Sequence, residues 1–374
     1  REYRVIPYRG FESLSLRQLN KIGQSMRVQN IYIRKFFFLF TLLAITSCSN
    51  EKTWNFSDGV KYPEGAQLSR AEDGVILSNG TLIVADQRYG LSMIDLSGNV
   101  SPFGGFKALD YQHNPPVVES GPNGVHLTPD KQFVITADVF NGKIYKTSIE
   151  NNSTEIIYSH KYGANTARED STGSLWFTQS TENQNEERLF SALGKAIPDG
   201  ALYRLSFNED GTLSKPELIL ENLYFANGFY IDEKRNKFYL SEMMKNRVLA
   251  FDFDLSTGSL SNQTTLAIMP TPDNMELTSE GQLWVASPLS NQIYSINPEN
   301  GESYVVFDAQ TEIGLKNMEQ GMRRMDIGEG FADLLTPELT GEMPGLLTGM
   351  IIGDESQPFF VANLGSALIK VSRE

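Results

Sequence analysis

One cysteine and three histidines in 374 residues leave this chain little thiol or imidazole chemistry. The single cysteine, Cys48, excludes an internal disulfide, a cysteine nucleophile in the core and a thiolate metal site, so packing alone must hold the fold. His113, His126 and His160 are dispersed and show no zinc-type spacing. There is also no nucleophile elbow and no phosphate-cradling glycine loop. Positive charge is short: 32 Lys and Arg stand against 46 Asp and Glu, a net charge of -14. Nucleic-acid partners are therefore not expected, because no basic surface is available to displace counterions from phosphates. Long hydrophobic runs are lacking too, since the run from Phe36 to Ile45 is too short to span a membrane as a helix. What is present, 40% hydrophobic and 21% charged residues, suits a sizeable buried core.

The N-terminal segment reads as processing information. Met26 opens "MRVQNIYIRKFFFLFTLLAITSCSN", in which Arg27, Arg34 and Lys35 precede the short apolar run and small residues follow it. This is the layout of a secretion signal. Its end, Ile45-Thr46-Ser47-Cys48, resembles a bacterial lipobox, which would make Cys48 the lipidated first residue of the mature protein. The expected organisation is an upstream extension over 1–25, a lipoprotein signal peptide over 26–47, a tether over 48–62 and one folded domain over 63–374. The expected location is the bacterial cell envelope, periplasm-facing or surface-exposed, with membrane contact through the lipid anchor only.

Beyond the tether the chain repeats itself. A short apolar strand ending in a small or polar residue recurs as "TLIVAD", "QFVITAD", "SLWFTQS", "KFYLSE", "QLWVAS" and "PFFVAN". Each is followed after a short loop by a strand of alternating pattern: "GLSMIDLSG", "GKIYKTSI", "GALYRLSF", "NRVLAFDF", "NQIYSINP" and "ALIKVSR". Period-2 patterning with Gly and Asn turns indicates antiparallel hairpins. Six such units at irregular spacings of roughly 40 to 75 residues predict an all-β fold, a six-bladed β-propeller of four-stranded blades.

If the apolar strand is the innermost of each blade, stepping back about twelve residues from its centre reaches the start of the strand before it. The residues found there are Glu72, Asn123, Asn165, Asn227, Asp273 and Thr348, all with side-chain oxygen. In a propeller, equivalent positions converge on the axis. Two carboxylates and three amides gathered there would be costly without a counter-charge. A hard cation meets that need, and Ca²⁺, which takes six to eight oxygen ligands in loose geometry, is expected first, with Mg²⁺, Mn²⁺ or Zn²⁺ as alternatives. The expected ligands are Glu72, Asn165, Asn227 and Asp273, with Asn274 adding another oxygen and Asn123 facing substrate or binding through water.

The stretches "ANGFYIDEKRNKFYLSEMMKNRVLAFDFD" and "PDNMELTSEGQLWVASPLSNQIYSI" resemble the six-bladed propeller superfamily of gluconolactonases and regucalcin, paraoxonases and strictosidine synthase-like proteins. The resemblance covers most of the chain from about residue 60. It implies a central ion held by a first-blade Glu, middle-blade Asn residues and a later Asp, here Glu72, Asn165, Asn227 and Asp273. It also places a general base at Asp273. Two departures stand out: Asn123 occupies the position where paraoxonases carry histidine, and Asn165-Thr166 replaces a common Asn-Asp pair.

The function expected from this reading is metal-dependent hydrolysis of a small lactone or ester. Asp273 would activate water, and the ion would polarise the carbonyl. A noncatalytic, calcium-containing propeller that binds a small molecule or protein partner, and a strictosidine synthase-like lyase, are the alternatives. His126 reads as a packed core residue. Two insertions, "KALDYQHNPPVVES" and the Met-containing segment from Thr311 to Leu347, could cover the channel mouth as lids or serve only as structural caps.

Overall fold

The alternation of turn residues with short β-rich runs builds six sheets, each with four antiparallel strands and one with a fifth, parallel strand at its edge. The computed structural model describes residues 52–113, 120–183, 189–208 and 212–373. The signal segment and Cys48 lie outside the described residues, and no helix among those described is long and apolar enough to cross a membrane.

The first blade runs Gly74–Ile76, Leu82–Asp86, Gly90–Ile94 and Val100–Phe103, with each strand paired to the next. The later blades repeat this plan. Their leading strands are Pro122–Leu127, Ala167–Glu169, Ala226–Asp232, Met275–Leu277 and Leu347–Ile351. Contacts pass from each blade to the next, and from the sixth leading strand back to the first, which closes the ring.

The leading strand, not the apolar one, is the innermost. The apolar strand lies second from the axis, covered on both faces by neighbouring blades: all five residues of Leu82–Asp86, Leu175–Gln179, Leu283–Ser287 and Phe359–Asn363 are buried. Burial on both faces removes the in/out alternation and leaves a continuous apolar run. The expected order of strands is thus shifted by one, yet the predicted column still stands at the axis, because its residues begin the innermost strands.

The core is divided among seams between blades. Trp176 and Leu202 of the third blade pack on Phe229, Phe238 and Leu249 of the fourth. Trp284 and Ile293 of the fifth pack on Phe359 and Val361 of the sixth. The indole of Trp176 keeps its polar handle satisfied by donating to Asp170 Oδ2 at 2.8 Å.

The folded unit begins before residue 63. Gly59–Tyr62, assigned by sequence to the tether, is the outer strand of the sixth blade, paired antiparallel with Leu368–Val371 in the register Gly59↔Val371. Trp54–Asn55 adds a parallel strand to the fifth blade, and Trp54 packs edge-on against Phe359 with ring centroids 5.3 Å apart. A lone closing strand has no hairpin partner next to it in sequence, so the repeat could not reveal it.

One end of the ring is capped. Between the fifth and sixth blades the chain forms α1 (Glu312–Asp326) and α2 (Pro337–Thr340). Thr311 caps α1, its hydroxyl accepting from the Gly314 amide at 2.9 Å. Met325, Phe331, Leu334 and Leu339 bury against Leu189 and Leu193 of the third-blade insertion and Phe225 and Met243 of the fourth blade.

Candidate functional site

Beneath this cap lies a cavity whose floor is the predicted column. Glu72, Asn123, Asn165, Asp273 and Thr348 all line it, and each is buried. Asn227 is buried beside Asp273, and Asn274 lies alongside, donating from Nδ2 to Glu72 Oε1 at 3.0 Å. Six loops far apart in sequence have been brought to one place.

The backbone explains why asparagine is followed by glycine here. A Cβ on Gly228 would come 2.7 Å from Asn274 Cα and 2.8 Å from the Asp273 carbonyl; on Gly124 it would come 2.9 Å from Thr166 Cα. These glycines serve close approach of neighbouring innermost strands. A turn needing left-handed backbone is not the reason, since neither glycine has positive φ.

Hydrogen bonds sort the column. Asn123 is committed: its Oδ1 accepts from Arg70 Nη2 at 2.8 Å, and its Nδ2 donates to the Asn165 carbonyl at 3.2 Å. Thr348 donates its hydroxyl to the Glu72 carbonyl at 2.8 Å. Asn165 Oδ1 accepts from Thr166 at 3.1 Å, so Thr166 supplies a hydroxyl donor beside that oxygen. By contrast Glu72 Oε2 and Asn227 Oδ1 are buried with no hydrogen-bond partner. Buried acceptors left without a partner are expensive unless a positive group meets them.

The acids respond as like charges in a dry site should. Glu72 is pushed up to about 8, first by burial and then by the charge of Asp273, against the opposing pull of Arg70. Asp273 is raised as well, by burial first, while the Asn227 amide draws it down. Asp73, next along the chain, is raised by burial and then by Glu72, and its Oδ2 accepts from the Val125 amide at 2.9 Å.

Among the described residues, no group of three or more His, Cys, Asp or Glu is placed to hold a metal ion. Amide side chains instead make up half of the set Glu72, Asn165, Asn227 and Asp273. Two carboxylates plus amide oxygens fit a hard cation such as Ca²⁺; Zn²⁺, which favours nitrogen and sulfur, finds neither among these four. Asn274 turns its Nδ2 to Glu72 and its Oδ1 to Thr166 at 3.4 Å, which suits it to positioning Glu72.

Arg70 is the floor residue that sequence comparison missed. It has left-handed backbone (φ 55°) and also donates to the Pro122 carbonyl at 2.7 Å. The equivalent positions in the other blades hold Gly121, Gly163, Phe225, Thr271 and Leu346, so no charge recurs there and the repeat gave no signal. The third-blade insertion, between Gln179 and Gly200, reaches the site as well: Leu189, Phe190 and Leu193 form part of the wall. The insertion between the fifth and sixth blades does line the cavity, through Phe331 and Leu335, whereas the described part of Lys107–Ser120 does not.

None of the histidines lines this cavity. His126 is buried in the core, as its pattern suggested, with Nδ1 3.4 Å from Glu276 Oε1 and Nε2 3.8 Å from Asp73 Oδ2. Burial, and then the charge of Arg168, push it down to about 4. His160 Nε2 bonds Gln179 Oε1 at 2.8 Å.

Comparison with known proteins agrees with the fold. Residues 154–312 match the family model described as SMP-30/Gluconolactonase/LRE-like region. A regucalcin of Danio rerio is 31% identical over 110 residues, 28% of this chain and 36% of the relative. The chain thus matches about a third of the length of the curated relatives. A gluconolactonase of Xanthomonas campestris superposes with a TM-score of 0.55 at 14% identity, covering 82% of this chain and 87% of that one. A calcium-binding regucalcin of Agrobacterium tumefaciens gives 0.56 at 12% identity, covering 86% and 95%. The fold is therefore a six-bladed propeller, and residues 154–312 are similar to the SMP-30/gluconolactonase region, as the sequence resemblance implied.

Proposed function

We propose that this protein is a metal-dependent hydrolase of lactones or esters, held at the bacterial cell envelope by a lipid on Cys48. The observation that carries the catalytic reading is the pairing of two buried carboxyls, Glu72 and Asp273, at the closed end of a cavity, with Glu72 Oε2 and Asn227 Oδ1 left without partners. The names of its relatives, gluconolactonase and regucalcin, support the reading at low identity.

Glu72, Asn165, Asn227 and Asp273 would hold a divalent cation, Ca²⁺ first. When bound, the cation supplies Lewis-acid polarisation of the substrate carbonyl and stabilises negative charge that develops on its oxygen. Asp273 takes the proton from the attacking water on a carboxylate oxygen. Asn274 fixes Glu72 by its 3.0 Å bond, and Arg70 holds Asn123 at the floor. The apolar wall excludes bulk water, which strengthens each of these interactions.

The test is turnover of simple lactones and aryl esters with Ca²⁺, after EDTA, and after restoring the metal. Activity should vanish with EDTA and return with Ca²⁺. Asp273→Ala should lower kcat by at least about a hundredfold, the usual scale for losing a general base, with the circular dichroism of the fold preserved. Unchanged turnover in that variant would sink the assignment.

A further inference from the structure

The cavity that carries the proposed hydrolytic site also limits what can enter it. Of its seventeen lining residues, the six with polar side chains, Arg70, Glu72, Asn123, Asn165, Asp273 and Thr348, are the floor set already described; the other eleven are apolar. Among the described residues, the wall thus offers no side-chain donor or acceptor above the floor. Part of the floor is also spent, because Asn123 is tied to Arg70 and Asn165, and the Thr348 hydroxyl donates to the backbone.

A second hollow continues outward from the first. It is lined by Ala332, Thr336, Pro337 and Thr340 together with Phe190, Leu193, Leu335 and Leu346, and these last four also line the inner cavity. Phe190 and Leu193 come from the third-blade insertion, while Leu335 and Leu346 come from the segment between the fifth and sixth blades. Four apolar side chains from two insertions therefore form the partition between the floor and the outer hollow.

We propose that the substrate is a lactone or ester whose non-reacting part is an unbroken apolar chain or ring, seated with its carbonyl on the floor and its apolar part between Phe190, Leu193, Leu335 and Leu346. This rests on the hydrolytic reading above and makes it specific. A polyhydroxylated sugar lactone is disfavoured on the same ground: its hydroxyls would leave water for a wall whose described side chains are apolar, and unpaired buried hydroxyls are costly. Apolar carbon gains on the same transfer, by roughly fourfold in binding for each buried methylene.

The experiment compares kcat/KM, with Ca²⁺ present, for γ-butyrolactone, γ-octalactone, γ-decalactone and D-glucono-δ-lactone. The expected result is a rise along the alkyl series, with γ-decalactone at least tenfold above both γ-butyrolactone and D-glucono-δ-lactone. A preference for the sugar lactone, or no rise with chain length, would overturn the substrate class while leaving hydrolysis intact. No turnover of any member, nor of aryl esters, with any divalent metal would remove the hydrolytic reading and this inference with it. Leu335→Gln and Leu346→Gln, both at half-buried positions, should lower the decalactone-to-butyrolactone ratio at least fivefold. Because a ratio does not depend on the fraction of protein folded, an unchanged ratio in both variants overturns the assigned route.

Discussion

At the scale of single residues, the site is defined by two acids that cannot both be charged and dry. Burial, and then the charge of Asp273, push the Glu72 carboxyl up to about 8, well above its ordinary value of 4.5. Between those values the folded state binds a proton that the unfolded chain has released, so this group's contribution to stability falls as pH rises through the window. The neighbouring Asp273 is shifted in the same direction. In EDTA, thermal unfolding should therefore move several degrees lower from about pH 5 to about pH 8, and Glu72→Gln should flatten that slope. Ca²⁺ at about a hundredfold its dissociation constant should add roughly 2.7 kcal/mol at pH 8. A pH-independent melting temperature in EDTA would contradict the pairing. The acids and amides were legible because each recurs at one place in a six-fold repeat. Arg70 was not, since a residue present in one blade alone leaves no pattern.

At the scale of elements, the innermost strands are packed so closely that side-chain choice becomes a backbone matter. Gly228→Ala would push a methyl to 2.7 Å from Asn274 Cα and against the Asp273 carbonyl. The expected cost is about 1–3 kcal/mol in urea denaturation, with at least tenfold loss of lactone turnover as Asp273 shifts. Stability and turnover both equal to the parent protein would show that the strand can yield. An Asn-Gly pair also serves turns, so the pair alone does not reveal which use it has here. Only the neighbouring strand shows the other reason. The same holds for strand order: a continuous apolar run says that both faces are covered, and says nothing about which of two adjacent strands is nearer the axis.

At the scale of the whole molecule, the ring is closed by chain from its two ends, Gly59–Tyr62 against Leu368–Val371. Deleting residues 52–62 removes an entire outer strand and the Trp54 contact with Phe359, a loss of several kcal/mol and on the order of 10 °C in Tm. A Tm unchanged by the deletion would mean that closure does not depend on this strand. For the proposed anchor, Cys48→Ser should abolish incorporation of labelled fatty acid and move the protein out of the membrane fraction; label retained in the variant would refute lipidation at this residue. The sequence by itself determined the all-β class, the number of blades and the column of oxygen-bearing residues, because those follow from local periodicity repeated six times. Tertiary structure decided which strand lines the axis, that Arg70 joins the floor, that two insertions build an apolar wall over it, and that a segment read as a tether closes the ring. Each of these depends on contacts between positions far apart in the chain, and such contacts leave no period in the sequence to read.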